Sequence, residues 1–241
     1  MTNVDDAEVA KFDDLAHRWW DPDGEFKALH DINQLRLDYI AERIAMPDPL
    51  ASARVVDVGC GGGILSEGLA ARGAQGTGTD LAEGPLQVAR LHALESGLEI
   101  DYRLTSIEAF AESLAEESRY DVVTCLEVLE HVPDPDSVIA AASRVVRPGG
   151  HLFLSTIHRQ LKAFFLAIVG GEYLTNMIPR GTHEYDKLIR PSELARSLRA
   201  AGFELRDITG MTYNPLTGHY RLSSDVDVNY FVHAVLPDTG P

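Results

Sequence analysis

The sequence predicts an α/β domain in which a mostly parallel sheet carries helices on both faces. Between residues 54 and 156, short β-branched runs alternate with amphipathic helical stretches, which is the pattern of repeated strand–helix units. Gly73 and Gly97 each follow a helical stretch, where a glycine commonly ends a helix. The chain has 241 residues, of which 45% are hydrophobic, so it can bury a sizeable core.

The regular part of the chain predicts five strands in succession. These strands cover residues 55–58, 75–79, 100–104, 121–126 and 151–155. The helices between them cover 64–72, 83–96, 107–117 and 135–146. Asp134 is the expected N-cap of the last helix, because Pro135 suits a first helical position.

The remainder of the chain extends this core at both ends. Residues 1–50 contain two helical stretches, 4–20 and 31–45, and predict an N-terminal helical cap. Residues 157–190 have no clean period and predict an insertion. A helix over 191–201 and strands over 203–209 and 228–235 follow, with a polar loop, 214–227, between the strands. The prediction is therefore one domain, 1–241, made of a cap (1–50), a cofactor-binding core (54–156), an insertion (157–190) and a C-terminal part (191–236).

Composition excludes several classes of function. The 37 acidic and 21 basic residues give a net charge of −16, which opposes binding to a nucleic-acid backbone. Two cysteines, Cys60 and Cys125, both near predicted strands, indicate reduced thiols and a cytoplasmic location. No signal peptide is visible in residues 1–20, and the longest apolar run, 163–169, is far shorter than the ~20 residues that span a bilayer.

A glycine-rich turn joins the first predicted strand to its helix. Gly59, Gly61 and Gly63 have G-x-G-x-G spacing, and such a turn can bring backbone N–H groups close to a nucleotide-like ligand. The spacing disfavours a dinucleotide, because Ile64 stands where the third glycine of that fingerprint is needed. A tight turn without a ligand is the alternative. Asp80 ends the second strand, where doubly wound folds place a carboxylate that binds ribose hydroxyls, although it could also be a turn residue.

A second polar cluster follows the fourth strand, after Leu126. Glu127, Glu130 and His131 could bind a divalent cation through oxygen and nitrogen ligands. Alternatively, His131 acts alone as a general base that takes a proton from a phenol. A solvated loop, in which Glu130 only positions the turn, is the third interpretation.

Motifs along almost the whole chain resemble one enzyme family. They comprise residues 12–25, with Trp19 and Trp20, and the segments 33–36, 57–63, 85–89, 127–133, 181–183 and 227–230. The glycine loop resembles that of class I methyltransferases, and the full set is similar to the ubiquinone-biosynthesis O-methyltransferases.

The resemblance implies a Rossmann-like class I methyltransferase fold with seven strands, the last antiparallel. It implies S-adenosylmethionine as the methyl donor, bound by Arg36, Gly59, Gly61, Asp80 and Leu126, and polyprenylated catechols as acceptors at both O-methylation steps. Glu127, Glu130 and His131 would hold Mg²⁺, and His131 and Glu130 would be catalytic.

Three questions remain open from the sequence. Arg36 suits a bidentate pair with a ligand carboxylate but could be a surface arginine. Trp19 and Trp20 could cover a pocket or only pack the cap. The apolar stretch within 161–180 could contact a lipid surface, peripherally on the cytoplasmic face of the inner membrane, or pack in the core.

Other ubiquinone-biosynthesis proteins are potential partners of this protein. An NAD-type oxidoreductase and a non-catalytic scaffold are the competing functions.

Overall fold

The structure is a computed structural model that describes residues 3–44, 50–159, 187–214 and 217–238. Its helices are α1 Asp6–Leu15, α2 Lys27–Arg43, α3 Ile64–Ala71, α4 Glu83–Glu95, α5 Ile107–Ser113, α6 Pro135–Val145 and α7 Pro191–Ala200. Short 3₁₀ turns cover Ala16–Arg18, Glu116–Ser118 and Leu129–His131. Its strands are β1 Arg54–Val58, β2 Gln75–Asp80, β3 Ile100–Leu104, β4 Tyr120–Leu126, β5 Val146–Ile157, β6 Glu204–Asn214, β7 His219–Ser223 and β8 Asn229–Val235.

The strands form one sheet in the order β3-β2-β1-β4-β5-β8-β6-β7. The first five strands in this order are parallel to one another, and β8 is antiparallel to both β5 and β6. The strand order reverses between β1 and β4, so the loops that follow these two strands diverge at the carboxyl edge of the sheet. Ligands of open α/β sheets bind at such a point. The predicted parallel core and antiparallel last strand are confirmed.

The described part of the sheet has one strand more than the seven predicted. β6 continues to Asn214 and pairs with β7, which lies inside the segment predicted as a polar loop. No side chain of β7 is fully buried, and the strand forms an edge of the sheet. An edge strand of this kind lacks the apolar alternation that reveals a strand in sequence.

Hydrophobic side chains cover both faces of the sheet. On one face, Leu152 and Leu154 of β5 pack with side chains of α5, α6 and α7. On the other face, Phe153 packs with side chains of α2 and α3. The alternation along β5 follows the two-residue period of a strand, and each fully buried large apolar side chain contributes about 1.5–3 kcal/mol.

Helix α2 is fixed against the C-terminal strands by a polar cluster. The Tyr39 hydroxyl donates a hydrogen bond of 3.0 Å to Asp207 Oδ2, and Arg43 Nε donates one of 2.8 Å to the same oxygen. Arg36 precedes Tyr39 by three residues, so the two side chains leave neighbouring positions on the helix surface. The cluster therefore fixes the C-terminal part of α2 against β6.

Two sequence predictions about segments have different outcomes. Asp134 is the N-cap of α6, as predicted, because its side chain accepts hydrogen bonds from the N–H groups of Asp136 and Ser137. Most of the predicted insertion, including 161–180, lies outside the described residues. Among the helices that are described, none has both the length and the apolar character needed to cross a bilayer.

Candidate active site

A cavity of about 950 Å³ lies at the carboxyl edge of the sheet, beneath the N-terminal cap. Its walls come from α1, α2 and the loops after β1, β2, β3 and β4, and from β6, β7 and the start of β8. This volume is near the top of the ~300–1,000 Å³ range of small-molecule sites. Arg36, Gly59, Gly61, Asp80, Leu126, Glu127 and His131 all line it. The sequence therefore selected residues that the fold brings together.

The glycine loop reaches this cavity without offering the N–H groups expected of it. The N–H groups of Gly59 and Cys60 donate to the Thr79 carbonyl at 2.8 and 3.1 Å. The Gly61 N–H donates to Asp80 Oδ2 at 2.8 Å, and the Gly63 N–H donates to the Cys60 carbonyl at 2.9 Å. These four donors hold the loop to itself and to β2, so they do not form a phosphate cradle.

Glycine is required in this loop because neighbouring side chains lie against its backbone. Gly59 has φ +68°, and a Cβ atom there would lie 2.3 Å from Cγ2 of Val128. Gly61 has φ +52°, and a Cβ atom there would lie 2.1 Å from Cζ2 of Trp19. Both distances are impossible for real atoms, so any side chain would displace the β4 loop or the cap.

Asp80, the last residue of β2, presents a carboxylate to the cavity. Its Oδ1 accepts a hydrogen bond of 2.8 Å from the Ala82 N–H, and its Oδ2 accepts the one from Gly61. Burial raises the pKa of Asp80, while these backbone hydrogen bonds oppose the rise. Each oxygen retains acceptor capacity for a further donor, such as a ribose hydroxyl.

Arg36 is buried, with a side chain that is 5% exposed, yet its guanidinium lacks hydrogen-bond partners at two nitrogens, Nε and Nη2. Nη2 lies 3.5 Å from Glu127 Oε1, an ion pair without hydrogen-bond geometry. A buried cation left in this state is costly unless an anion satisfies it. The structure therefore places an anion-binding group at the wall of the cavity, and Arg36 is not a surface arginine.

Asp57 connects the elements beneath the cavity. Its carboxylate accepts hydrogen bonds from Ser66 of α3 at 2.7 Å and from Thr124 of β4 at 2.8 Å. Burial raises the pKa of Asp57 to about 6, and these two hydrogen bonds and the Arg36 charge oppose that rise. Leu126, at the end of β4, forms an apolar part of the same wall.

The three residues of the expected metal site each have a separate hydrogen-bond partner in the structure. Glu127 Oε1 accepts a hydrogen bond from Ser155, Glu130 Oε2 accepts one from Thr156, and His131 Nδ1 pairs with Glu8 Oε2 at 3.0 Å. Throughout the described residues, no three His, Cys, Asp or Glu side chains are arranged to hold a metal ion. The three residues are adjacent in sequence, but the left-handed backbone of Glu127 and the 3₁₀ turn after it direct their side chains to different partners.

Glu130 differs from the prediction in a second respect. Its side chain is buried, is not among those that line the cavity, and leaves Oε1 without a hydrogen-bond partner. Burial raises the pKa of its carboxyl group. Glu130 therefore lies beneath the surface of the cavity, beside Thr156 of β5.

His131 lines the cavity with a partner that the sequence analysis missed. Glu8 of α1 is buried, and its pKa falls to about 2, chiefly because of its hydrogen bond with His131 and despite burial. Burial opposes protonation of His131, but Glu8 and the nearby carboxylates raise its pKa overall. The ring of Phe12 meets the imidazole edge-on at 5.4 Å. Nothing in the acidic N-terminal sequence distinguishes Glu8 from its neighbours; only the fold identifies it.

Trp19 and Trp20 attach the cap to the glycine loop. Trp19 lies on the backbone of Gly61, lines the cavity and stacks on Phe26 at 3.9 Å. Trp20 donates a hydrogen bond of 2.8 Å to the Gly62 carbonyl and stacks on His92 outside the cavity. Trp19 therefore both covers the cavity and packs the cap, whereas Trp20 only packs it.

Comparison with known proteins gives the family context of this site. A methyltransferase-domain family model matches residues 29–208. The ubiquinone biosynthesis O-methyltransferase of Hahella chejuensis is 62% identical over 237 residues, covering 98% of this chain and 97% of that protein. The enzyme of the same name from Marinobacter nauticus is 60% identical over 232 residues, covering 96% of each.

Solved structures agree with the fold. The magnesium protoporphyrin IX methyltransferase of Synechocystis PCC 6803, solved with bound SAH, has a TM-score of 0.67 and 23% identity over 94% of each chain. The [4+2]-cyclase SpnF has a TM-score of 0.59 and 20% identity, covering 85% of this chain and 80% of that one. The likeness shows the class I methyltransferase fold; the cyclase illustrates that the fold does not define the reaction.

The packing of Trp19 on the loop predicts that a single methyl group added at residue 61 destabilises the protein. Gly61→Ala should lower the free energy of unfolding by about 2–4 kcal/mol, because left-handed strain adds to an overlap with Trp19. Gly97→Ala is the matched control, since Gly97 has φ +67° and a Cβ atom there would have no other atom within 4 Å. That control should lose only about 1–2 kcal/mol in urea unfolding. Equal losses in the two variants would contradict the packing argument.

Proposed function

This chain belongs to the family of ubiquinone biosynthesis O-methyltransferases, and we propose that its cavity transfers a methyl group from S-adenosylmethionine to phenolic hydroxyls of polyprenylated catechols, at both O-methylation steps of the pathway. It is an S-adenosylmethionine-dependent O-methyltransferase of ubiquinone biosynthesis. The observation that carries the assignment of the site is the buried, incompletely paired guanidinium of Arg36 in one cavity with Asp80.

The residues present fit the methyl donor. Arg36 would hold its carboxylate in a bidentate pair, and Asp80 would accept hydrogen bonds from its ribose hydroxyls. Gly59 and Gly61 would let the adenosine approach the loop, and Leu126 would contact it from β4. When bound, the donor supplies a methyl group activated by a positively charged sulfur. Because four of the loop's N–H groups donate within the protein, the site suits a ligand without a pyrophosphate, which disfavours a dinucleotide cofactor.

The reaction needs alignment and the removal of one proton. A bond forms between the phenolic oxygen and the methyl carbon as the bond from carbon to sulfur breaks. His131 would take the phenolic proton, because it lines the cavity and neutral imidazole is a suitable base. Glu8 would hold the imidazole ring and stabilise the imidazolium that forms. The cap, with Trp19, would exclude water from the reacting groups.

Contact with a lipid surface is a further part of the proposal. Polyprenylated acceptors partition into lipid, so the enzyme would take them from the surface of the inner membrane, alone or with other ubiquinone-biosynthesis proteins. The sequence feature that supports this is the apolar stretch within 161–180, which lies outside the described residues.

Arg36 provides the direct test of the methyl-donor site. Arg36→Lys should weaken binding of S-adenosylhomocysteine about 10–100-fold, because a lysine cannot form the bidentate pair with the carboxylate. Isothermal titration calorimetry measures the dissociation constant of S-adenosylhomocysteine. Arg43→Lys is the matched control, since Arg43 is on the same helix but pairs with Asp207 outside the cavity. A similar loss in both variants would indicate a general effect of α2 rather than a binding contact.

The pair of His131 and Glu8 predicts a change in the pH profile. His131→Gln should lower kcat about 100-fold or more, because it removes the base. In Glu8→Gln the acid limb of kcat/KM should move to lower pH, because the lost carboxylate had raised the pKa of His131. Glu67→Gln is the control, since Glu67 pairs with His92 at 2.8 Å outside the cavity. An unmoved acid limb in Glu8→Gln would exclude His131 as the titrating base.

A double variant of the apolar stretch tests the proposed contact with a lipid surface. Replacing Phe164 and Phe165 by Ser should reduce co-sedimentation with liposomes, because two large apolar side chains no longer enter the lipid. Activity on a water-soluble catechol should survive. Unchanged sedimentation would instead indicate that these side chains pack within the protein.

A further inference from the structure

The cavity extends well beyond the residues assigned to the methyl donor. From Arg36 it continues between α2 and the hairpin of β6 and β7, in a region here called the hairpin arm. Six apolar or aromatic residues line the hairpin arm: Ala28, Leu29 and Ile32 from α2, and Met211, Tyr213 and Tyr220 from the hairpin.

Strand register makes the hairpin side of the arm a continuous track. Met211 pairs with Asn229 of β8, which pairs in turn with Ile157 of β5, and all three line the cavity. Paired residues of neighbouring strands share one face of a sheet, so this row crosses the sheet beneath the cavity. Tyr213 follows Met211 by two residues and therefore lies on the same face. Tyr213 pairs with Tyr220, and their ring centroids are 4.7 Å apart.

Burial decreases along this track. Met211 is 5% exposed, whereas Tyr213, farther along β6, is 40% exposed. On the opposite side, Ile32 lies one helical turn before Arg36, so α2 connects the arm to the proposed anion site. The arm thus begins beside the reaction site and reaches the surface at a pair of tyrosines.

We propose that the hairpin arm binds an apolar chain carried by the acceptor, while the phenolic ring lies beside His131. This inference rests on the proposed function and adds a place for the acceptor's substituent. Apart from Thr212 of β6, its lining consists of aliphatic and aromatic groups, which would gain from burying a hydrocarbon chain. The tyrosines at the opening have polar hydroxyls and apolar rings, which suits the place where a chain leaves the protein for water or lipid.

The decisive experiment compares two acceptors in one set of variants. One acceptor is a catechol with a three-isoprene chain, and the other is the same catechol with a methyl group in place of the chain. Met211→Gln keeps the approximate length of the side chain but introduces an amide into the buried part of the arm. We expect KM for the prenylated catechol to rise about tenfold or more, with KM for the methyl analogue and the Kd for S-adenosylhomocysteine within about twofold of the unmodified enzyme.

Two further variants separate chain binding from general damage. Leu222→Gln is the matched control, because Leu222 pairs with Met211 in the hairpin but is not among the residues that line the cavity; both KM values should stay unchanged. Tyr213→Ala changes the exposed opening, where folding is least affected, and should raise KM for the prenylated catechol alone.

The outcomes distinguish this inference from the proposed function. An equal rise in KM for both acceptors, or an unchanged KM for the prenylated acceptor in both Met211→Gln and Tyr213→Ala, would overturn the hairpin arm as the chain site. Failure of the unmodified enzyme to methylate either catechol would instead refute the proposed function before any variant is compared.

Discussion

The arrangement of the site depends on close approach to a loop, residues 59–63, in which four of the five residues are glycine. A Cβ atom at Gly59, Gly61, Gly62 or Gly63 would lie within 2.5 Å of Val128, Trp19 or Tyr102. These three residues belong to the loop after β4, the N-terminal cap and β3. The glycine loop is therefore where three separate parts of the chain meet. Two of these parts, the cap and the loop after β4, line the cavity together with the glycine loop.

The same loop explains which ligand the site suits. Four of its N–H groups hold the turn, so recognition falls largely to two side chains of opposite charge, Arg36 and Asp80. Arg36 would meet the carboxylate at the amino-acid end of S-adenosylmethionine, and Asp80 would meet the hydroxyl groups of its ribose. A dinucleotide would bring two phosphate charges to a loop in which four N–H groups already donate within the protein. The net charge of −16 does not prevent anion binding, because one buried guanidinium acts at short range.

Local sequence predicted those parts of the fold and site that local chemistry determines. The parallel strands, the Asp134 cap and the positions of Asp80 and Leu126 each follow from residue patterns within a few positions. β7 was missed because an edge strand has no apolar alternation. The metal site was expected from adjacency along the chain, but adjacency does not reveal the separate partners of Glu127, Glu130 and His131. Glu127 has φ +58°, and the three partners come from β5 and α1. Glu8 could not be predicted, since its partner lies 123 residues away.

The N-terminal cap contacts both the proposed base and the glycine loop. Glu8 lies on α1, and Trp19 follows the same helix by four residues, so the group that holds His131 and the group that covers the glycine loop are parts of one segment. If the cap moved away from the loop, His131 would lose its carboxylate partner at the same time as the cavity opened to water. The proposed base is therefore fully assembled only when the cavity is covered. A reactive methyl donor benefits from this coupling, because the proton acceptor is in place only where water is excluded.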